Sequence, residues 1–131
     1  MPNVDSKSGL EGRYLARCTL WNWHDNSTID IIDLENNVIF HLDEWQTMVF
    51  FEADGNITAE ALVSSLQAKY HGRVPQDFND RVFISTEELA YKFKVIELWS
   101  HKDDLPYYFE LPLAEQDQEQ SLRLMAADGR I

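Results

Sequence analysis

The stretch "TIDIIDLENNVIFHL" (residues 28–42) decides the fold that the sequence predicts. Two runs rich in β-branched residues flank the polar segment "ENN" (35–37), a pattern typical of an antiparallel hairpin. Upstream, "YLARCTLWNW" (14–23) is also rich in strand formers and is separated from the hairpin by the turn cluster "HDNS" (24–27). We therefore expect a three-stranded meander in chain order, with strand 38–42 at its edge.

After residue 42 the apolar period becomes helical. Asp43 is placed to cap a first helix, which "ADGN" (53–56) ends, and Thr58 is placed to cap a second helix that runs to about Tyr70. Residues 76–92 predict a third helix, and 94–100 return to strand character. The predicted fold class is α+β: a three-stranded antiparallel meander followed by a three-helix bundle, winged helix-turn-helix-like.

The chain divides into three predicted parts. Residues 1–13 are expected to be a flexible N-terminus, residues 14–100 the folded domain, and residues 101–131 a C-terminal extension. Pro106 and Pro112 disfavour a helix over 104–112, and 114–120 are polar. The extension is therefore expected to be partly extended or mobile.

The charge distribution argues against a phosphate-binding partner. The formal net charge is −12, and between Cys18 and Ala68 there are nine acidic residues and no Lys or Arg. Such a surface would repel nucleic acid. No apolar run approaches the length of a membrane span, and the N-terminus lacks the apolar core of a secretory signal. With a single cysteine, Cys18, expected to be buried, the sequence favours a reducing, cytoplasmic location.

The segment "FFEADGNITAEALVSSL" (50–66) superficially resembles a calcium-binding loop. With Gly55 at the sixth loop position, the first position is Phe50 and the twelfth is Ala61, whereas calcium needs acids at both. The segment is better interpreted as a corner between two helices. Its Asp54-Gly55-Asn56 turn permits positive φ.

No catalytic pattern is present elsewhere. The four histidines (His24, His41, His71 and His101) lack metal-site spacing, and there is no nucleophile elbow or phosphate-binding glycine loop. We therefore predict no catalytic residues, no cofactor and no metal, and a binding module rather than an enzyme.

The succession from Ser27 to Tyr70 resembles the PqqD-like peptide-binding domains, the recognition elements of ribosomal peptide-natural-product pathways. The similar features are the hairpin, the Leu42-Asp43 junction, the turn at 54–58, the Lys69-Tyr70 helix end, and the third helix with its closing segment Leu89 to Leu98. The resemblance covers about residues 14–99. Two features depart from the family: Lys94 stands where the family has glycine, and about thirty residues follow the domain.

The resemblance implies that the protein binds the leader of a precursor peptide and presents it to a modifying enzyme, such as a radical-SAM or cyclisation enzyme. The leader would add a strand to the exposed edge of residues 38–42, and the third helix would form the other wall of a groove. The backbone of residues 38–40 would supply affinity, and the helix would select the sequence. The predicted peptide-binding residues are Val38, Ile39, Phe40, His41, Arg81, Val82, Ser85, Glu88, Leu89 and Lys92.

For some of these residues another role competes. Val82 and Leu89 fit a plain core role at least as well as a groove role. Arg81 and Lys92 are placed to pair with carboxylates of an acidic leader.

Three alternatives to peptide binding stay open at this point. The first is an acidic protein-interaction or assembly module that uses the face from Asp25 to Glu60. The second is a winged-helix transcription regulator, which the net acidity of residues 76–92 disfavours. The third is an enzyme whose site the motifs do not reveal. The sequence favours no membrane partner and does not indicate the oligomeric state.

Overall fold

The computed structural model describes residues 9–71 and 73–131 and confirms a mixed α+β fold. The strands are β1 (Tyr14–Arg17), β2 (Leu20–Trp23), β3 (Ile29–Asp33), β4 (Val38–His41), β5 (Asp54–Thr58) and β6 (Ile96–Trp99). The helices are α1 (Glu44–Glu52), α2 (Ala59–Lys69), α3 (Phe78–Glu87) with a π-helical continuation (Glu88–Lys92), α4 (Tyr107–Glu110), a 3-10 turn (Leu113–Glu115) and α5 (Gln118–Ala127). None of the helices in the described part of the chain is long and apolar enough to cross a bilayer.

The strands form two antiparallel sheets of three strands each, in the orders β5-β1-β6 and β2-β3-β4. The run 14–23, predicted as one strand, is therefore two strands that belong to different sheets. The change occurs at Cys18 and Thr19: the Cys18 amide still donates to Val95 O, next to β6, whereas Leu20 already pairs with Ile32. The meander in chain order is β2-β3-β4, and the second sheet was not predicted.

The corner at 53–58 combines a turn with a strand. The Asp54 carboxylate accepts the Asn56 amide at 2.9 Å, and Gly55 has a φ of 86°. The same residues form β5, which pairs with β1 across an irregular register, so the prediction of a simple turn was incomplete. The predicted caps are confirmed: Asp43 accepts from the Gln46 amide, and Thr58 from the Ala61 amide.

A single large core joins the two sheets to the helices. The inner face of the meander contributes Trp21, Ile29, Ile31 and Leu42, and α1 contributes Val49 and Phe50. Leu10 is also fully buried in this core, so the N-terminal lead-in is packed at that residue. Residues 1–8 of the predicted flexible segment lie outside the described residues.

The C-terminal segment (residues 101–131) contains α4, the 3-10 turn and α5, whereas residues 101–106 form neither helix nor strand. Pro106 precedes α4 instead of interrupting it, and Asp117 caps α5 by accepting the Gln120 amide. Tyr108, Phe109 and Met125 pack with Leu20 on the outer face of the meander, the face opposite the main core. Arg17 anchors this segment: its guanidinium donates to the carbonyls of Phe109, Glu110 and Phe51.

Candidate functional site

The strand predicted to be the binding edge, β4, lies at the edge of its sheet. It pairs with β3 through Asp30–His41, Ile31–Phe40, Ile32–Ile39 and Asp33–Val38. Among the described residues, no strand pairs with its other side. The C-terminal segment packs at the opposite flank of this sheet, where the Ala114 amide donates to Asn22 Oδ1 on β2.

The register determines which backbone groups of β4 face outward. The Leu42 amide donates to Ile29 O at 3.0 Å, which makes Ile29–Leu42 a hydrogen-bonded pair. Hydrogen-bonded and non-bonded pairs alternate along an antiparallel ladder. Phe40 and Val38 therefore bond to β3, while the N–H and C=O groups of Ile39 and His41 point away from it.

The side chains of this strand are unusually exposed for aliphatic residues. Ile39 is 68% exposed and Val38 is 48% exposed. Isolated exposed aliphatic residues are common on protein surfaces, but adjacent ones on an unpaired strand create an edge that other strands can join. The inner-facing Phe40 packs partly against the core.

A groove, here called the β4 groove, lies between Phe40 on β4, residues 31–36 of β3 and the following turn, and residues 92–95 at the end of the π-helical stretch. It has a volume of about 520 Å³ and is lined by Phe40, Phe93, Lys92, Lys94, Val95, Ile31, Cys18, Thr19, Asp33, Glu35 and Asn36. The rings of Phe40 and Phe93 lie 5.4 Å apart, and the Lys92 ammonium lies 5.3 Å from the Phe93 ring centre. The groove thus has an aromatic floor with charged groups of both signs at its margin.

The structure separates the predicted helix residues into three groups. Lys92 is among the residues that line the β4 groove. Val82, Ser85 and Leu89 are buried, and Val82 and Leu89 belong to the main core cluster.

The other two helix residues have partners of their own. Arg81 is exposed, pairs with Asp77 at 2.7 Å, and stacks over Trp45. Glu88 accepts a hydrogen bond from Gln46 Nε2. Neither is among the residues that line the β4 groove.

A second cluster of functional side chains lies on the outer face of the meander. His24 Nδ1 and His41 Nδ1 lie 3.1 Å and 3.2 Å from the same oxygen, Asp30 Oδ1. The three residues provide ligand atoms that all lie within 4.8 Å of one another. Two of the four histidines are thus neighbours in space, although their sequence positions indicated no pairing.

The sequence held a usable signal for this cluster. Once strands 28–34 and 38–42 are connected by the turn at 35–37, the register can place Asp30 opposite His41. The contribution of His24 depends on the shape of the preceding turn, which sequence spacing does not specify. Motif searches look for ligands at fixed spacing and so miss a cross-strand cluster.

A cavity of about 560 Å³ lies beside the packed C-terminal segment, with Cys18, Ile32, Phe109 and Arg130 among its lining residues. Burial raises the pKa of the Cys18 thiol to about 12, and the Sγ atom lies 3.7 Å from Lys94 O. A thiol with so high a pKa is a poor nucleophile. Cys18 was expected to be buried and is half-buried, packed against the cluster of Leu20, Tyr108, Phe109 and Met125.

Comparisons of this chain with protein-family models, with curated proteins and with solved structures give no match.

Proposed function

We propose that this protein is a non-catalytic peptide-binding domain that captures an extended peptide as an added strand along β4. The observation that carries the proposal is the unpaired outer side of β4 within the described residues, beside the β4 groove. An added strand would bond to the N–H and C=O groups of Ile39 and His41, because these groups point away from β3. Backbone hydrogen bonds of this kind give affinity, and neighbouring side-chain pockets give specificity.

The groove indicates the chemistry of the peptide. Alternate side chains of an added strand would face the β4 groove, where the rings of Phe40 and Phe93 offer an apolar surface. The next side chains along the peptide would lie on the outer face beside Ile39. Lys92 and Lys94 stand at the groove margin and would favour a peptide with a carboxylate at the matching position.

The resemblance to PqqD-like domains supports the leader of a precursor peptide as the occupant and a peptide-modifying enzyme as the partner. Lys94 adds one observation: its φ is 57°, the left-handed conformation that glycine adopts freely. The family has a glycine at the corresponding position. Lys94 therefore differs from the family's glycine in its side chain, while its backbone adopts a conformation that is typical of glycine.

Substitutions at Ile39 test the proposal most sharply. Proline at this position removes an N–H that faces away from β3, so the ladder within the sheet stays intact. The probes are the short peptide encoded beside this chain's gene and, separately, a peptide selected from a displayed library. Each is titrated into the isotope-labelled protein and followed by NMR.

We expect amide shifts to cluster on residues 38–42 and 88–95, and Ile39→Pro to weaken binding at least about tenfold through the lost donor. Ile84→Ala, an exposed site on α3, is the matched control and should leave affinity unchanged. Shifts that map to another surface, or binding that tolerates Ile39→Pro, would refute strand addition. Lys92→Glu should weaken an acidic peptide selectively.

The same edge could in principle pair with β4 of a second copy. Sedimentation of the protein alone separates the two outcomes. A monomer whose Ile39 edge binds the probe peptide supports the proposal. A dimer that Ile39→Pro converts to monomer would show that the edge serves self-association instead.

A further inference from the structure

The cluster of His24, Asp30 and His41 is the second feature of the meander that can bind a ligand. It lies on the outer face, beside the area that the C-terminal segment covers. It uses side chains, whereas the proposed peptide site uses the backbone edge. The metal-site proposal and the peptide-binding proposal can therefore be tested independently.

The sheet register holds two of the three side chains together. Asp30 and His41 are direct cross-strand neighbours of the non-bonded type, in which side chains approach most closely. His24 follows β2 at the turn, and its amide donates to Thr28 O, which fixes the start of β3. The turn itself is fastened by Asp25, whose carboxylate accepts the amides of Ser27 and Thr28.

The distances suit a bound metal ion. Zinc lies about 2.0–2.1 Å from imidazole nitrogen and carboxylate oxygen, so two donors on one tetrahedral ion are about 3.3 Å apart. The two observed nitrogen–oxygen distances are 3.1 Å and 3.2 Å. The imidazole rings lie 4.1 Å apart, centre to centre.

We propose that His24, Asp30 and His41 bind a divalent transition-metal ion, with Zn²⁺ the best match to two imidazoles and one carboxylate. Three protein ligands leave at least one coordination position for water or an added ligand. The side chains are 48%, 27% and 46% exposed for His24, Asp30 and His41, so an ion can enter from solvent. The cluster belongs to a stretch, residues 18–68, that contains nine acids and no lysine or arginine, and such a charge attracts cations.

Hydrogen bonding alone would explain the same geometry without a metal. In that case each imidazole donates Nδ1–H to the Asp30 carboxylate, and the cluster serves only to fasten three strands. The two explanations differ in one respect: only the metal site binds Zn²⁺ with one ion per chain and requires both histidines.

The test uses the tag-free full chain, stripped with a chelator and titrated with Zn²⁺ by calorimetry. NMR of the histidine side chains is recorded in parallel. We expect one ion per chain, with the His24 and His41 ring signals shifting together. His24→Gln, His41→Gln and Asp30→Asn should each weaken binding at least about tenfold, since losing even an outer-shell partner costs that much.

His101→Gln is the matched control, because His101 is exposed and lies outside the cluster. It should bind Zn²⁺ like the wild type. The thermal midpoint should rise on Zn²⁺ addition in the wild type and in His101→Gln, and stay constant in His41→Gln. No binding by a folded wild-type chain, or equal binding by His41→Gln, would overturn the proposal. Because His24 lies outside β4, unchanged peptide binding by His24→Gln would show that loss of the metal site leaves the edge intact.

Discussion

The two strands that flank β3 have opposite surroundings. On one side, β2 is covered: Leu20 and Trp21 are buried, and the C-terminal segment bonds to Asn22 and to the Trp21 indole. On the other side, β4 exposes Val38 and Ile39 and has no second strand partner among the described residues. Since all three strands share one antiparallel ladder, the difference arises from what packs on each flank and not from strand geometry. Within the part of the chain that the structure describes, the C-terminal segment covers one margin of the meander and no strand pairs with the other.

The largest expected effect concerns Arg17, which holds the C-terminal segment beside β2. Arg17→Met removes three hydrogen bonds to backbone carbonyls. Burial lowers the pKa of the Arg17 guanidinium, because the opposing effect of the nearby carboxylates of Asp54 and Glu110 is smaller. Leaving buried carbonyls unpaired should lower the free energy of unfolding by about 3–4 kcal/mol. Urea denaturation measures this loss.

Arg13→Met is the control for Arg17, because Arg13 makes an exposed hydrogen bond to Leu98 O. Its cost should stay below about 1 kcal/mol. Equal losses for the two arginines would mean that the C-terminal segment is not held by Arg17.

A second expected loss lies where the C-terminal segment begins. Gly55 has a positive φ, and a Cβ atom there would lie 2.3 Å from the Asp103 carbonyl oxygen. Gly55→Ala should cost about 2–3 kcal/mol through backbone strain and the clash. Gly129→Ala has the same backbone cost but open space around it, so about 1 kcal/mol is expected. Similar losses at both glycines would argue against the close contact between β5 and residue 103.

Alanine substitutions at two isoleucines compare the covered and exposed parts of the outer face directly. Ile32 and Ile39 are cross-strand neighbours on that face, but Ile32 packs against the C-terminal cluster and Ile39 is exposed. Ile32→Ala should lower the free energy of unfolding by about 1–2 kcal/mol, and Ile39→Ala by less than about 0.5 kcal/mol. A large loss at Ile39 would show that something covers this strand in solution.

The smallest expected effect is a pH dependence of stability, caused by two groups beside the C-terminal segment. Burial raises the pKa of Cys18 to about 12 from 9.0, and burial followed by the Asp128 hydrogen bond raises the pKa of Tyr108 to about 12 from 10.0. Both groups are neutral below these values. Their stabilising contributions are therefore complete below the unfolded-state pKa and are lost as pH rises toward 12.

Thermal midpoints recorded from about pH 8 to about pH 11 should consequently fall, first from Cys18 and then from Tyr108. Cys18→Ala should flatten the first part of the curve, and Tyr108→Phe the second. Curves that keep the wild-type slope in both variants would contradict this explanation.

Local signals in the sequence predicted the features that local chemistry determines. The hairpin of β3 and β4 follows from two strand-forming runs around "ENN", and the caps Asp43 and Thr58 follow from their place before apolar helical runs. These features depend on residues close together in the chain. The exposed edge of β4 was predicted for the same reason, since sequential strands pair in order.

Long-range pairing accounts for most of what the sequence did not predict. The second sheet needs β1 to meet β5 and β6, some forty and eighty residues later. The burial of Val82, Ser85 and Leu89 depends on how α3 rotates against α1, which helical periodicity alone leaves open. Helix α4 was missed because Pro106 was interpreted as a helix breaker, although proline is well tolerated at a helix start. Helix α5 was missed because residues 114–120 are polar, although Asp117 caps this helix.

Hydrogen exchange of the β4 amides tests the central claim most directly. If the outer side of β4 is unpaired, the Ile39 and His41 amides should exchange rapidly in the free protein, while those of Phe40 and Leu42 are protected by β3. On addition of the probe peptide, Ile39 and His41 should become protected as well. Equal protection of Ile39, Phe40, His41 and Leu42 in the free monomer would mean that the edge is already occupied, and would contradict the account.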